Sequence, residues 1–134
     1  MKPITNYLIV AGALFLISCG TGTEKKEGML GPWSAKWETL ESSYPDVKNV
    51  SSFTMEGVWT FNEDSTVTVE AFGFEGCIFG EDTISHTQRW SMKNDTLNLL
   101  NEGNVPGMSY SVLSNQDNKI KLQLMSDIFI YLEK

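Results

Sequence analysis

The alternation of apolar and polar residues at period two limits the fold of this chain more than any other feature. From residue 30 onward the alternation recurs in short runs, and turn-forming residues interrupt it roughly every 12 residues. No segment in this part of the sequence carries the i, i+3, i+4, i+7 spacing of apolar residues that is typical of an amphipathic helix. The sequence therefore predicts an all-β fold whose strands have one apolar and one polar face.

Eight strands are predicted from the alternation. Clusters of Asn, Asp and Ser follow Phe61, Lys93 and Ser114, and such side chains bond to nearby backbone in tight turns. If consecutive strands pair antiparallel, these turns lie at one end and most of the long connections lie at the other. The prediction is an eight-stranded antiparallel up-and-down barrel with a closed end and an open mouth, and a β-sandwich is the structural alternative. The predicted strands span residues 30–42, 53–61, 66–74, 84–93, 96–100, 108–114, 119–124 and 128–132.

The third predicted strand has an ambiguous inner face. Val67 and Val69 share one parity, whereas Phe72 and Phe74 share the other. A β-bulge at Gly73 is one solution, because a bulge inserts an extra residue and re-aims the side chains beside it. The sequence therefore does not decide which side chains in the second half of this strand point inward.

The first residues of the chain carry a separate pattern. An apolar run over residues 7–17 follows Lys2, and its 11 residues are too few for the ~20 that a bilayer-spanning helix needs. A short apolar run behind a positive end, closed by small residues, is typical of a targeting segment. The run ends in a motif that resembles the lipobox of a bacterial lipoprotein signal peptide, Leu16-Ile17-Ser18-Cys19.

The lipobox resemblance implies a lipid-anchored protein. It implies that residues 1–18 are a signal peptide that is removed, and that Cys19 then carries lipid. Residues 19–29 would form the lipidated cysteine and a flexible tether, since 20–28 contain no apolar residue. Gly20 is not the aspartate associated with inner-membrane retention, so we expect the outer membrane of a Gram-negative-type cell envelope. The alternative is an ordinary cleaved signal peptide and a secreted domain.

The composition limits which molecules the remaining domain, residues 30–134, can bind. The full chain has 10 basic and 17 acidic residues, a net charge of −7, and such an acidic surface repels phosphate backbones. Arg89 is its one arginine for bidentate phosphate contacts, so no nucleic-acid partner is expected. With Cys19 lipidated, Cys77 has no partner for an intramolecular disulfide, and we expect it to be a small buried hydrophobe in a monomeric protein.

Three further motifs resemble those of lipocalin-like domains in bacterial envelope lipoproteins. Two are hairpins, at residues 61–67 and 90–97, which resemble the family's Phe-x-x-Asp-Gly-Thr-Val and Trp-x-x-x-x-Asp-x-Leu patterns, with Ser65 in place of glycine. The third, Gly31-Pro32-Trp33, resembles the family's Gly-x-Trp. The resemblance implies a lipocalin-like barrel whose closed end is crossed by this tryptophan. It also implies a basic residue behind the tryptophan, and Lys134 is the one candidate near the last strand.

The predicted interior has a filled end and an end suited to a ligand. An eight-stranded barrel is just wide enough for packed side chains or for one small ligand. The tryptophans Trp33, Trp59 and Trp90 are predicted to pack at the closed end. Near the mouth, an apolar face with a few polar groups fits a small hydrophobic or amphipathic molecule. The predicted ligand-binding residues are Phe53, Met55, His86, Gln88, Met108 and Tyr110.

A packed interior without a ligand is the alternative. His86 would then lie in water at the mouth, or bond to Tyr110 in a filled core. Arg89 alternates with His86 and Gln88 and is predicted to point outward. That orientation removes the obvious partner for a fatty-acid carboxylate.

Enzymatic function finds little support in the sequence. One histidine and one free cysteine cannot build a His/Cys zinc site, and the adjacent Ser85 and His86 point to opposite faces of a strand. We therefore predict no catalytic residues, no metal and no cofactor. The functional prediction is a membrane-anchored lipoprotein that binds a small hydrophobic or amphipathic molecule in the barrel mouth. The alternative is an envelope interaction module whose loops, 44–47 and 105–108, bind another protein.

Overall fold

The computed structural model describes residues 26–134, which form a closed barrel of eight strands. Each strand pairs antiparallel with the next along the chain, and the eighth returns to pair with the first. The predicted fold class is confirmed, and the β-sandwich alternative is wrong because all eight strands belong to one closed sheet. The strands are β1 Gly31–Thr39, β2 Thr54–Phe61, β3 Thr66–Phe72, β4 Thr83–Lys93, β5 Thr96–Leu100, β6 Pro106–Gln116, β7 Lys119–Met125 and β8 Ile128–Glu133.

Several predictions concern residues outside the described part of the chain. The predicted signal peptide, the lipobox with Cys19, and residues 19–25 of the predicted tether all lie there. Residues 26–29, which the prediction also placed in the tether, form a helical turn, and Met29 is buried in the core. The folded unit therefore begins before residue 30. Within residues 26–134, no helix has the length and apolar character needed to cross a membrane.

Tight turns built from Asn and Asp lie at one end of the barrel. The β4–β5 turn places Asn94 and Asp95 at φ 49° and 56°, and the β6–β7 turn places Asp117 and Asn118 at φ 51° and 60°. Positive φ at both central residues is the mark of a type I′ hairpin, whose twist matches that of the strands it joins. Asn and Asp adopt this conformation more readily than most residues. The Asn and Asp clusters thus form the turns predicted from them.

A lysine and the helical turn at 26–29 seal this closed end. The Nζ of Lys134 lies 4.8 Å from the centre of the Trp33 ring, in the range of a cation–π interaction. The same ammonium donates hydrogen bonds to the carbonyl oxygens of Leu30, at 2.7 Å, and Gly28, at 3.3 Å. Trp33 Nε1 in turn donates to the Met29 carbonyl oxygen at 2.7 Å. Trp33 therefore packs at the closed end as predicted, and Lys134 is the basic residue behind it.

The inner face of β3 keeps one parity along the whole strand. Val69 and Ala71 are buried, whereas Phe72 points outward and is exposed. The pairing of β3 with β4 has no register shift. Gly73 follows the strand, and a Cβ at this position would overlap the Asp82 carbonyl oxygen. Glycine here serves a close approach of two backbones rather than the bulge considered from the sequence.

Candidate ligand-binding cavity

A cavity of about 240 Å³ lies inside the mouth half of the barrel. It reaches solvent at the open end, where the lining side chains of Ile84 and Met108 are 54% and 49% exposed. The long connections of the barrel surround this opening, while the type I′ turns lie at the opposite end. The lining residues are Trp37, Met55, Trp59, Val69, Ala71, Phe79, Ile84, His86, Leu99, Met108, Tyr110, Leu124 and Ile128.

Three small residues lie side by side at one level of the barrel, and one of them, Ala71, lines the cavity. Gly57 of β2 pairs with Ala35 of β1 on one side and with Ala71 of β3 on the other. A Cβ on residue 57 would overlap the Glu70 carbonyl oxygen and lie 2.7 Å from Cζ3 of Trp37. The Trp37 ring therefore packs over the bare backbone of Gly57, and the shape of the cavity wall depends on glycine at this position.

Aromatic rings form the inner end of the cavity. The centroids of the Trp37 and Trp59 rings are 6.2 Å apart, and the Trp59 and Tyr110 rings meet edge to face at 5.5 Å. Aromatic pairs at such distances contribute stability beyond their buried area. Trp59 is only 1% exposed. Its ring is therefore held by packing on several sides and forms a fixed part of the wall.

Trp59 lies nearer the mouth than the sequence predicts. The prediction places it in closed-end packing with Trp33 and Trp90, whereas the structure makes it part of the cavity wall. Phe61 separates it from the closed end, with its ring centroid 6.0 Å from that of Trp59 and 5.0 Å from that of Trp90. Trp90 itself is buried at the closed end, where the Nζ of Lys26 lies 5.8 Å from its ring centre. Trp59 and Phe61 are therefore two positions apart on β2 and have different roles: Trp59 lines the cavity, and Phe61 packs between it and the closed end.

Two hydrogen-bond donors in the lining have a weak partner or none. The Tyr110 hydroxyl donates to Met108 Sδ at 3.2 Å, and thioether sulfur is a weak acceptor. Burial raises the pKa of Tyr110 to about 12, so the hydroxyl keeps its proton at neutral pH. Trp59 Nε1 is buried and has no hydrogen-bond partner within residues 26–134. Trp59 Nε1 has almost no accessible surface, so the donor that the cavity wall can offer to a ligand is the Tyr110 hydroxyl.

The cavity wall carries little charge. Among the described residues, no Lys, Arg, Asp or Glu lines it, and His86 is its one basic side chain. Arg89 is exposed on the outer face of β4, as predicted, and its Nη1 donates to Asn104 Oδ1 at 3.0 Å. An anionic group that entered the cavity would lose its hydration without gaining a buried Lys or Arg partner.

The structure brings together four of the six predicted ligand-binding residues. Phe53 is half-buried just before β2 and does not line the cavity. Gln88 also lies outside the lining, and its Nε2 donates to Asn101 Oδ1 at 2.9 Å beside a groove on the barrel wall. The four predicted residues that line the cavity are Met55, His86, Met108 and Tyr110.

Phe79 lines the cavity from the β3–β4 loop, where alternation gives no signal. The Ser51 amide donates to the Gly76 carbonyl oxygen at 2.8 Å, which ties this loop to the segment before β2. Cys77, in the same loop, is buried as expected of a small hydrophobe. The other lining residues have the inward parity of their strands, so the sequence marks them as interior without marking them as a cavity. They are Trp37, Val69, Ala71, Ile84, Leu99, Leu124 and Ile128.

No protein-family model and no curated protein matches this chain. Within residues 26–134, no group of three or more His, Cys, Asp and Glu side chains is arranged to hold a metal ion. The site is an apolar enclosure with the Tyr110 hydroxyl as a hydrogen-bond donor in its wall. Such a site is suited to binding.

Proposed function

We propose that this protein binds a small hydrophobic or amphipathic molecule inside the barrel mouth, and that lipidated Cys19 anchors it to a membrane. The observation that carries the binding proposal is the cavity of about 240 Å³, whose wall is mostly apolar. An apolar cavity with a few placed polar groups is the usual form of a small-molecule site. A barrel of this size filled by side chains alone would leave no such space.

The cavity volume sets the size of the ligand. An apolar cavity of roughly 150 Å³ accepts benzene, so one of about 240 Å³ accommodates roughly ten non-hydrogen atoms. A short alkyl chain or a small aromatic compound has this size. Because Ile84 and Met108 are partly exposed at the opening, a longer ligand would extend past the cavity and cover them.

The Tyr110 hydroxyl in the wall indicates which polar group of a ligand the cavity favours. The Tyr110 hydroxyl now donates only to a weak thioether acceptor, so a ligand oxygen that replaced Met108 Sδ as its partner would strengthen binding. A hydroxyl, ether or carbonyl oxygen fits this requirement. A carboxylate fits poorly, because the wall supplies no Lys or Arg among the described residues.

The anchoring proposal is supported by the lipobox resemblance and by the position of residue 26. Lys26 lies at the closed end, beside the Trp90 ring. The seven steps of chain from Cys19 to Lys26 span at most ~25 Å. An anchored barrel would therefore stay close to the membrane surface, with its closed end toward the membrane and its mouth facing away.

Native mass spectrometry of the protein, purified gently from its own host, tests the binding proposal. We expect a discrete added mass that is lost on denaturation. Titration with 1-octanol, a neutral probe of suitable size, should change the fluorescence of the cavity tryptophans Trp37 and Trp59. A bare native mass together with no response to octanol would contradict the proposal.

The N-terminal peptide of the mature protein tests the anchoring proposal. In the natural chain we expect this peptide to begin at Cys19 and to carry added acyl mass. The Cys19→Ser variant should lack that mass, whereas the matched Cys77→Ser variant should keep it. A natural N-terminal peptide without acyl mass would show that the anchor does not exist.

The second candidate is an interaction module that binds another envelope protein through the open-end loops. It is favoured by the position of the exposed large hydrophobic residues, since eight of the nine within residues 26–134 lie at that end. Cross-linkers placed at residues 44–47 and at Val105 should then capture one specific partner. Capture of the same proteins from the closed-end turns would contradict it. The eight residues are Leu40, Val47, Phe72, Phe74, Ile84, Val105, Met108 and Met125.

A further inference from the structure

One edge of β4 is unpaired in the mouth half of the barrel. β3 pairs with β4 from Thr83 to Arg89, but β5 pairs with it only from Arg89 onward, because β5 ends at Leu100. No other strand within residues 26–134 pairs with β4. The edge of Thr83–Gln88 that faces away from β3 therefore has no strand beside it. We call it the free edge of β4.

The backbone groups on the free edge belong to alternate residues. The Trp90 amide donates to the Ser65 carbonyl oxygen, and the carbonyl oxygen of Asp82, just before β4, accepts from the Gly73 amide. Even-numbered residues thus direct their N–H and C=O groups towards β3, so odd-numbered residues of β4 direct theirs to the opposite side. The three residues whose N–H and C=O groups face the free edge are Thr83, Ser85 and Thr87.

The free edge lacks the features that protect sheet edges. Thr83–Gln88 contains no Lys, Arg, Asp, Glu or Pro, and its pairing with β3 has no bulge. Natural proteins block exposed edges with such features, because an unpaired strand is a template for another strand. All five residues from Thr83 to Thr87 are exposed, although Ile84 and His86 line the cavity. The free edge is therefore accessible to another chain.

A groove continues the free edge towards the closed end. It has a volume of about 320 Å³ and lies between β4 and the turn that follows β5. Thr87 and Gln88 line one side of this groove, and residues 100–104 line the other. An extended chain laid along the free edge would run into the groove, which has room for its end.

We propose that the free edge of β4 binds an extended segment of another protein, which joins the sheet as an added strand. This inference does not depend on a cavity ligand, and it uses a strand edge rather than the open-end loops. Free N–H and C=O groups at alternate residues are complementary to the backbone of an extended chain. The net charge of −7 favours a segment that carries basic rather than acidic residues.

A second copy of this chain fits the free edge less well than a short segment. Two copies carry the same negative charge and repel each other. Antiparallel pairing of two free edges would also bring the loop before β4 of one copy, residues 73–82, towards the 101–104 turn of the other. A short segment meets neither obstacle. Alternate side chains of the segment would lie beside Ile84 and His86, so apolar residues at every second position fit.

The probe is a synthetic peptide of five alternating Thr and Val residues between two Lys residues, acetylated and amidated at its ends. Its binding to the full-length protein is followed by amide hydrogen exchange. In the free protein, the amides of Ile84 and His86 bond to β3 and should exchange slowly, whereas the three free-edge amides should exchange quickly. The peptide should slow the free-edge amides by at least about tenfold. The same peptide with N-methyl groups on its Thr and Val residues lacks the backbone donors and should not bind.

A proline at residue 85 locates the site. Ser85→Pro removes an N–H that faces the free edge and leaves the bonds to β3 intact, so the barrel should still fold. This variant should bind the peptide about tenfold more weakly, because a donor is lost and the proline ring obstructs the edge. The matched Ser85→Ala variant keeps the N–H and should bind like the natural protein. If Ser85→Pro does not fold, amide exchange in the natural protein with and without the peptide decides the question.

Several results would overturn the inference. Slow exchange of the Ser85 amide in the free, dilute protein would show that the edge is already paired. Absence of binding, or binding that leaves the free-edge amides unprotected, would show that the segment does not add to β4. Equal binding of the N-methylated peptide would rule out backbone pairing. Protection that needs no peptide and grows with protein concentration would identify a second copy as the occupant.

Discussion

Tyr110 shows how burial sets the chemistry of a single residue in this cavity. Its ring packs edge to face on Trp59, and its hydroxyl donates only to the Met108 sulfur. A phenolate at this position would be separated from solvent, and desolvation therefore raises the pKa of Tyr110 to about 12. The residue is consequently a neutral hydrogen-bond donor throughout the physiological pH range.

The raised pKa of Tyr110 predicts a loss of stability in alkali. Above pH 10 the unfolded chain releases this proton while the folded chain keeps it until about pH 12, so the free energy of unfolding falls as pH rises through that window. The loss attributable to Tyr110 should be roughly 2–3 kcal/mol. Denaturant unfolding at several pH values, followed for the natural protein and for Tyr110→Phe, measures the difference.

A matched variant controls for the removal of any tyrosine hydroxyl. Tyr131→Phe changes a residue on the outer face of β8, beside Lys121, and leaves Tyr110 in place. This variant should keep the Tyr110 share of the alkaline loss, and Tyr110→Phe should not. Identical pH profiles for the natural protein and Tyr110→Phe would contradict the assignment.

Lys134 holds three groups together at the closed end. Lys134→Met would remove the cation above Trp33 and the donor to two carbonyl oxygens, and should lower the free energy of unfolding by about 1–2 kcal/mol. The control is Lys119→Met, which removes an exposed ion pair with Glu133 and should have little effect. Urea unfolding measures both changes. Equal losses would show that the Trp33 contact contributes nothing specific.

At the scale of the element, β2 determines the width of the cavity. Its inward side chains change from the bulky Phe61 and Trp59 to the bare Gly57, and then to Met55 near the mouth. The large residues fill the closed half, while glycine admits the Trp37 ring, which lines the cavity. One strand thus supplies both the filled and the open part of the interior.

Gly57→Ala should disrupt this strand. The new methyl group would overlap the Glu70 carbonyl oxygen and press on the Trp37 ring, so both the backbone of β3 and the cavity wall must move. We expect a loss of about 2–4 kcal/mol in the free energy of unfolding, together with altered tryptophan fluorescence. Gly28→Ala is the matched control, since a Cβ there meets nothing within 4 Å. Similar stabilities of the two variants would contradict the crowding at residue 57.

At the scale of the whole molecule, the cavity is a departure from close packing. Protein interiors normally leave few voids larger than a water molecule, so an open space of about 240 Å³ forgoes packing stability. Such a departure is expected where binding requires it. Filling the space should therefore favour folding and oppose binding.

Ala71→Leu tests this opposition. Ala71 lines the cavity, and a leucine there would occupy part of the space. We expect unchanged or slightly higher stability, by up to about 1 kcal/mol, and at least a tenfold loss of octanol affinity. Phe72→Leu, a change at the neighbouring exposed position, should leave octanol binding intact. Undiminished binding in Ala71→Leu would place the octanol site elsewhere.

The barrel could be predicted from sequence more completely than the cavity. Alternation reports which face of a strand is buried, so all eight strands and their order follow from it. A cavity depends on volumes summed across strands, such as the small layer at Ala35, Gly57 and Ala71, which no single segment reveals. Phe79 lies in a loop without periodicity, and Gln88 bonds to a residue beyond β5. These contacts join residues that are not neighbours in sequence, so local periodicity does not report them.

The pairing of β1 with β8 has a kinetic consequence. Residues about 100 positions apart, such as Ser34 and Glu133, become direct neighbours, and contacts of such long sequence separation form slowly because a long loop must close first. Until β8 has been synthesised, β1 keeps an unpaired edge that another unfinished chain could join. The period between synthesis and closure is therefore when this protein is most prone to aggregate, and overproduction should raise the concentration of chains with an unpaired edge and so increase aggregation.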